Sequence, residues 1–218
     1  MVISIIDSIK VAGKKAESMR RPFLIGQRVY LRLLEESDIS EEYVGWLNDC
    51  EVTRYMETGK FPATPESIRQ FLQRFHGSTT DIIFGIIDRE TDQHVGNVTL
   101  NHINWIHRTA DTGLMIGRKD FWGKGYAFEA WSMFLEYAFQ RLGLRKIIAG
   151  VIVDNTASFV TLQKLGFKVE GTLRQEYLVD GEYRDGVRLG LLREQFYKYA
   201  QSPDADSFRQ IEEVSQVS

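Results

Sequence analysis

The chain has 218 residues, a formal net charge of −3 and a pI near 5.9. This acidic balance argues against a nucleic-acid partner, and no apolar run reaches the roughly 18 residues that span a bilayer. Hydrophobic residues make up 43% and charged residues 26%, which is typical of one globular domain. Cys50 is the single cysteine, so no internal disulfide forms and a cytoplasmic location is expected. The four histidines lack metal-site spacing, and no metal is expected.

Both termini are predicted to lie outside the folded domain. Residues 1–22 are interpreted as an N-terminal extension, 23–200 as the domain, and 201–218 as a C-terminal tail. The apolar start of the chain is interrupted by Asp7 and follows no basic segment, so no signal peptide is predicted.

Strands and helices are predicted from apolar periods of two and of 3.6 residues. Thr64 followed by Pro65 is a strong helix start, Ser37 or Asp38 is expected to cap a helix, and Asp180-Gly181 predicts a hairpin turn. In chain order, strands are predicted at 28–33, 81–88, 94–101, 108–116, 146–153, 167–179 and 182–192, and helices at 37–46, 64–75, 127–142 and 155–165. This order predicts an α+β domain with a mostly antiparallel sheet, helices on both faces and one central parallel βα unit.

A short glycine-bearing loop carries the strongest chemical signal. Residues 121–127 read FWGKGYA and join an apolar strand to a long amphipathic helix. Gly123 and Gly125 permit positive φ, and a helix N-terminus presents unpaired N–H groups with partial positive charge. The spacing fits neither the Walker loop nor the dinucleotide fingerprint. The loop therefore predicts a phosphate or pyrophosphate site of another type.

Three segments, in an order that covers residues 23–197, resemble the GNAT acetyltransferases. The run WGKGYA at 122–127 is similar to the family's Q/R-x-x-G-x-G/A pyrophosphate loop, with Trp122 in place of Gln or Arg. The run NTAS at 155–158, followed by KLGF at 164–167, is similar to the family's N-x-x-S and G-F elements. The runs EGTLR at 170–174 and LLRE at 191–194, with Asp185, resemble the closing hairpin of the ribosomal-protein-type (RimJ/RimL-like) branch.

The resemblance implies an N-acetyltransferase that takes acetyl-CoA as co-substrate and has a GNAT fold with a splayed central strand pair. In that fold the glycine loop holds the pyrophosphate, and the end of the central strand meets the pantetheine. A free N–H at the splay can then stabilise the developing oxyanion. The implied coenzyme-binding residues are Leu114, Met115, Ile116, Trp122, Gly123, Lys124, Gly125, Tyr126, Ala127, Asn155 and Ser158.

The family's catalytic tyrosine is missing from this chain. It lies seven residues after the asparagine of the N-x-x-S segment, where this chain has Leu162. Ser158 is therefore favoured as the acid at the leaving thiolate, and a cap on its own helix is the alternative role. Glu176 is favoured as the base that removes the amine's proton. An exposed structural carboxylate, or water-mediated removal by backbone carbonyls, remains an alternative for that role.

The amine acceptor is left open by the sequence. The run WLNDCEVTRYM at 46–56 resembles acetyltransferases that act on amino-sugar nucleotides, which makes such an acceptor the slight favourite. A protein N-terminus comes next, followed by a polyamine or drug amine, and an inactive acyl-CoA sensor is the alternative of another class. Family habit suggests a homodimer. The predicted acceptor-binding residues are Trp46, Asn48, Arg54, Tyr55, Trp105 and Arg174, with His102 beside them.

Overall fold

The structure is a computed structural model that describes residues 21–200, so most of the predicted extension and the whole predicted tail lie outside the described residues. The strands are β1 (Leu24–Ile25), β2 (Val29–Leu33), β3 (Ile82–Asp88), β4 (His94–Asn104), β5 (Thr109–Ile116), β6 (Lys146–Ile152), β7 (Lys168–Val179) and β8 (Glu182–Leu192). The helices are α1 (Glu41–Asn48), α2 (Pro65–Gln73), α3 (Tyr126–Gln140), α4 (Thr156–Lys164) and α5 (Arg193–Ala200).

The strands form one sheet in the order β1-β2-β3-β4-β5-β6-β8-β7. Neighbouring strands are antiparallel except β5 and β6, which run parallel. The parallel ladder joins Thr109–Asp111 to Lys146–Ile148 and goes no further, so β5 and β6 diverge beyond it. The predicted α+β class, the antiparallel character and the splayed central pair are all confirmed.

Helices cover both faces of this sheet. On the face that we call the α3 face, Phe134 of α3 and Leu162 of α4 belong to the larger hydrophobic core. On the opposite α1/α2 face, Tyr43 and Ile68 belong to a second core together with Met115 of β5. Alternate residues of β5 and β6 therefore point towards different helices, as the period of a strand requires.

Helix α1 begins later than the sequence suggests. Ser40 is its N-cap, and the Ser40 hydroxyl accepts a hydrogen bond from the Tyr43 N–H at 3.1 Å. Asp38 cannot cap α1 because its carboxylate forms a buried ion pair with Arg32 at 2.6 Å. The predicted cap at Ser37 or Asp38 is therefore wrong, because both residues lie in a short 3-10 helix, Glu36–Asp38, that precedes α1.

The two other local signals are confirmed. The Thr64 hydroxyl accepts from the Ser67 N–H at the start of α2. Asp180 and Gly181, between β7 and β8, have φ of 50° and 83°, as a tight hairpin turn requires.

Candidate active site

A cavity of about 680 Å³ lies where β5 and β6 diverge. Trp131 and Leu162 reach it from the α3 face, and Tyr43 and Phe71 reach it from the α1/α2 face. The cavity therefore passes through the gap in the sheet. The cavity is bordered by residues from both faces of the sheet.

The glycine loop has the backbone that the sequence predicts. Gly123 and Gly125 have φ of 70° and 84°, and Gly125 is the N-cap of α3. The Trp122 indole N–H donates to the Ile116 carbonyl at 2.8 Å. Trp122 and Ile116 thus fasten the loop to the end of β5, and the N–H groups of the first turn of α3 remain available for an anion.

Arg28 supplies a cation beside this loop that sequence reasoning missed. Its Nη1 lies 3.1 Å from the point where a Cβ on Gly125 would sit, and 3.8 Å from Glu129 Oε2. The buried Glu129 carboxylate also accepts from the Arg28 backbone N–H at 2.8 Å, which holds the start of β2 against α3. Arg28 is far from Gly125 in the chain, so no local motif could reveal the contact.

The remaining loop residues hold α3 in place or face solvent. The Tyr126 hydroxyl donates to Asp88 Oδ1 at 2.7 Å. Burial and the neighbouring Asp88 carboxylate raise the pKa of Tyr126 well above its usual range, so the phenol stays neutral. Lys124 Nζ lies 5.9 Å from the centre of the Phe121 ring, and Ala127 continues the first turn of α3.

The end of β5 borders the cavity, as the resemblance implies. Leu114 and Met115 line the cavity, whereas Ile116 does not. Beyond Asp111 the edge of β5 that faces β6 has no ladder partner among the described strands. Its peptide groups are therefore free to bind the amide-rich pantetheine arm.

Asn155 and Ser158 both line the cavity at the start of α4. The Asn155 side chain is the N-cap of α4 and accepts from the Ser158 N–H at 3.2 Å. The cap of α4 is therefore Asn155 and not Ser158. Ser158 is half-buried in the cavity lining.

The α1/α2 side of the cavity has a polar floor and an aromatic wall. The floor comes from Asn97, Thr99 and Asn101 of β4, and Tyr43 closes one side. Glu57 is the one charged side chain in the part of the lining that the structure describes. Lys, Arg and His are absent from that described lining, so the cavity has no cation of its own.

A hydrogen-bonded chain runs from the core to this wall. His94 Nε2 lies 2.8 Å from Asn97 Oδ1 and 2.9 Å from the Gly96 carbonyl oxygen, so this nitrogen carries the proton. The Asn97 amide donates in turn to the Tyr43 hydroxyl at 2.8 Å. Burial lowers the pKa of His94 and raises the pKa of Tyr43 to about 12, so both side chains are neutral near pH 7.

Of the predicted acceptor residues, Tyr55 alone is in the described cavity lining, and Arg54 lies beside it outside the lining. The Arg54 guanidinium lies 5.5 Å from the Tyr55 ring centre. Arg54 also pairs with Asp180 at 3.0 Å. The loop after α1 is thereby tied to the β7–β8 turn.

The other predicted acceptor residues lie outside the lining. Trp46 is buried against His94 and Gly117, and the Asn48 amide binds the backbone of Ala63 in both directions. The Trp105 indole donates to the Thr79 carbonyl at 2.8 Å. Arg174 is exposed on β7, and His102 lies 3.5 Å from Asp111. These residues shape loops and core rather than the cavity surface.

The two predicted catalytic residues differ in whether they line the cavity. Ser158 lines the cavity, but Glu176 is exposed on β7 and lies outside the lining. Its neighbour Tyr177 does line the cavity. Sequence reasoning therefore missed Arg28, Glu57 and Tyr177. Glu57 directly follows the run at 46–56 that the sequence singles out, and no local signal marks the role of the other two.

Two further observations apply to residues 21–200. Within them, no group of three or more His, Cys, Asp or Glu side chains is arranged to hold a metal ion. No helix in the same range is long and apolar enough to cross a bilayer.

This chain belongs to the GNAT acetyltransferase family. The family model described as "Acetyltransferase (GNAT) domain" matches residues 28–168. An uncharacterized N-acetyltransferase, p20, of Bacillus licheniformis is 33% identical over 178 residues, 79% of this chain and 97% of that protein. The predicted family and the predicted enzyme class, an N-acetyltransferase, are thus confirmed.

Several similar proteins are named for the amine that they acetylate. A spermidine N(1)-acetyltransferase of Escherichia coli is 31% identical over 176 residues, 80% of this chain and 91% of that protein. The crystal structure of a Vibrio cholerae spermidine N-acetyltransferase with CoA and spermine has a TM-score of 0.71 at 26% identity. That match covers 78% of this chain and 98% of the other. These relatives are spermidine or uncharacterized N-acetyltransferases, and they do not single out the RimJ/RimL-like branch.

Proposed function

We propose that this chain transfers the acetyl group of acetyl-CoA to a primary amine of a polyamine or a similar small polycation. The charge of the described cavity lining carries this proposal, because it contains Glu57 and no cationic side chain. A cationic acceptor gains from such a surface. A diphosphate loses its hydration there and meets no compensating charge.

The amino-sugar nucleotide that the sequence favoured is therefore the weaker candidate. It would need Arg54 or Arg174 to neutralise its diphosphate. The Arg54 guanidinium is already paired with Asp180, and Arg174 is exposed on β7 outside the lining. The names of the spermidine-acetylating relatives agree with the polyamine proposal.

The coenzyme half of the site fits acetyl-CoA. The positive-φ glycines, the N-terminus of α3 and the Arg28 guanidinium together suit a pyrophosphate. Leu114 and Met115 would bind the pantetheine arm in the gap between β5 and β6. The bound coenzyme supplies an activated acetyl thioester. The position of Ser158 in the cavity lining at the start of α4 supports a role for its hydroxyl as the donor to the leaving sulfur.

The part of the cavity that binds the amine must also remove a proton from it. An alkylamine has a pKa of about 10.4 and arrives protonated near neutral pH. Glu176 is the proposed base, although its carboxylate lies outside the cavity lining. Placement in the RimJ/RimL-like branch, a cytoplasmic location and a homodimer all stay predictions.

The proposal is tested by mixing the protein with acetyl-CoA and separate amines and following thiol release, with mass detection of each product. The amines are spermidine, spermine, an amino-sugar nucleotide and a peptide with a free N-terminus. We expect spermidine or spermine to exceed the sugar nucleotide in kcat/KM by about 100-fold or more, a few kcal/mol in transition-state binding. Preference for the sugar nucleotide or the peptide, or coenzyme binding with no thiol release, would contradict the proposal.

A further inference from the structure

Tyr177 lines the cavity beside the gap between β5 and β6. Its hydroxyl oxygen is 3.5 Å from the position that a Cβ on Gly150 would take. Gly150 belongs to the part of β6 beyond Ile148, where β5 has already diverged. Ala149 and Val151 face the α3 core, so Gly150 faces the α1/α2 side. The phenol therefore stands on the acceptor side of the gap.

A bulge in β7 aims this side chain. Leu173 pairs with Gly186 and Tyr177 pairs with Arg184, so residues 174–176 oppose Asp185 alone. Gln175 has a φ of 54°, and its N–H donates to Asp185 Oδ1 at 2.9 Å. Bulges of this kind change which way the following side chains point.

The bulge brings Glu176 and Tyr177 to the same face of β8, although neighbours in a regular strand point to opposite faces. The point where a Cβ on Gly186 would sit is 2.3 Å from Glu176 Oε2 and 2.7 Å from Tyr177 Cε2. Both side chains therefore border one point on β8, and the Glu176 carboxylate is close enough to raise the pKa of Tyr177. A carboxylate outside the cavity is thus linked to a phenol inside it.

The charges around Tyr177 keep its phenol protonated. Burial raises its pKa, and the carboxylates of Glu176 and Glu57 raise it further, while the Arg188 guanidinium opposes them. Arg188 is in turn 3.7 Å from Asp111 of β5. A neutral phenol beside a carboxylate can accept one proton on its oxygen while it gives up another.

We propose that Tyr177 is a catalytic residue that takes the proton of the acceptor amine and passes its own proton to Glu176. This inference rests on the proposed transfer of an acetyl group to an amine. The amine lone pair forms the N–C bond, and the C–S bond breaks with its electron pair on sulfur. Two protons leave the ammonium nitrogen. The first goes to the Tyr177 oxygen while the phenolic proton passes to Glu176, and this frees the lone pair for attack. The second leaves as the amide forms and balances the proton that the departing sulfur takes up on the Ser158 side. Glu176 later releases its proton to solvent.

Steady-state kinetics of Tyr177→Phe, Glu176→Gln and the double variant test this relay. Each single change should lower kcat about 100-fold, within the usual range for acid–base catalysis, with KM and coenzyme affinity changed less than about threefold. The double variant should be no more than about threefold slower than either single one, because the two groups act in series. Tyr183→Phe, an exposed tyrosine on β8, is the matched control and should keep full activity.

The pH dependence separates a relay from a structural role. The unprotonated amine becomes abundant towards about pH 10 and then needs no base. The loss of kcat in each single variant, relative to the unmodified protein, should therefore shrink between neutral pH and that value. A deficit independent of pH, an additive double variant, or normal kcat in Tyr177→Phe would overturn the relay. If no polyamine turns over, the proposed function fails, and the same variants are compared on whichever panel amine does react.

A measurement without any amine gives a second test. Carbon-13 NMR of labelled tyrosine can follow the ionisation of Tyr177, assigned by its loss in Tyr177→Phe. Removing the Glu176 charge should lower the pKa of Tyr177, because that carboxylate contributes to its rise. An unchanged Tyr177 titration in Glu176→Gln would overturn the pairing of the two residues, whether or not the acceptor has been identified.

Discussion

Gly186 and Tyr177 are in contact across the β7–β8 hairpin, and the contact leaves no room for a side chain at position 186. A Cβ there would lie 2.7 Å from Tyr177 Cε2 and 2.3 Å from Glu176 Oε2. Both distances are too short for non-bonded heavy atoms. The absence of a side chain at 186 is therefore what allows the phenol and the carboxylate to stand together.

Replacing Gly186 by alanine should displace this pair. We expect kcat to fall at least about tenfold, since proton transfer depends on the positions of both groups, while coenzyme binding is unchanged. Gly171→Ala on the same hairpin is the matched control, because a Cβ at 171 meets nothing within 4 Å. Equal activity of the two variants would show that the position of Tyr177 does not matter.

The acidic residue at the cavity should determine how strongly a polycation binds. Glu57→Gln removes the one charge in the described lining, so KM for spermidine should rise about fivefold, the worth of a partly exposed ion pair. The coenzyme affinity should stay constant. Glu90→Gln, an exposed turn residue outside the lining, is the control. A KM for spermidine that is the same in both variants would contradict the electrostatic argument.

Gly125 should be needed for coenzyme binding. Its φ of 84° disfavours any other residue, and a Cβ would lie 3.1 Å from the Arg28 guanidinium. Gly125→Ala should weaken acetyl-CoA binding about tenfold, from about 1–2 kcal/mol of backbone strain at the site. Calorimetric titration measures this. Gly77→Ala has a similar φ of 71° and open space around it, and it should bind acetyl-CoA normally.

Buried His94 should make folding sensitive to mild acid. Burial lowers its pKa in the folded state, although Asn97 and the Asp38 charge oppose that shift and Arg32 adds to it. As the pH falls, His94 in the unfolded chain therefore binds a proton at a higher pH than His94 in the folded chain does. The contribution of neutral His94 is complete above its unfolded pKa of about 6.5 and is lost as the pH falls below that value.

Urea unfolding gives the measurement. The free energy of unfolding should drop by about 1 kcal/mol between about pH 7.5 and 5.5 because of this group. His94→Gln keeps a donor for Asn97 but cannot titrate. The free energy of unfolding of this variant should therefore drop by about 1 kcal/mol less over the same pH range. Equal drops in the two proteins would show that His94 does not stay neutral in the folded state.

Features that depend on local backbone requirements were predictable from the sequence. Gly123 and Gly125 predicted a positive-φ loop, and Asp180-Gly181 predicted a tight hairpin, because few residues adopt those conformations. The cap at Thr64 followed from its neighbours alone. The start of α1 was mispredicted, because Ser37 and Asp38 lie in a separate 3-10 helix and the Asp38 carboxylate pairs with Arg32.

The cavity was less predictable, because its surface is made by distant segments. Trp46 and Asn48 lie in a suggestive run, yet the fold uses them for core packing and for a loop anchor. Arg28 reaches the glycine loop only through the packing of β2 on α3. Tyr177 reaches the gap only because a bulge turns it, and nothing in the sequence marks that bulge.

The central claim, acetyl transfer to a polyamine, is tested most directly by competition in one vessel. The protein would receive limiting acetyl-CoA with equal concentrations of spermidine and an amino-sugar nucleotide, and mass spectrometry would give the ratio of the two acetylated products. We expect acetylspermidine to exceed the acetylated sugar nucleotide by about 100-fold, since the described lining offers an anion and no cation. An excess of acetylated sugar nucleotide would contradict the account.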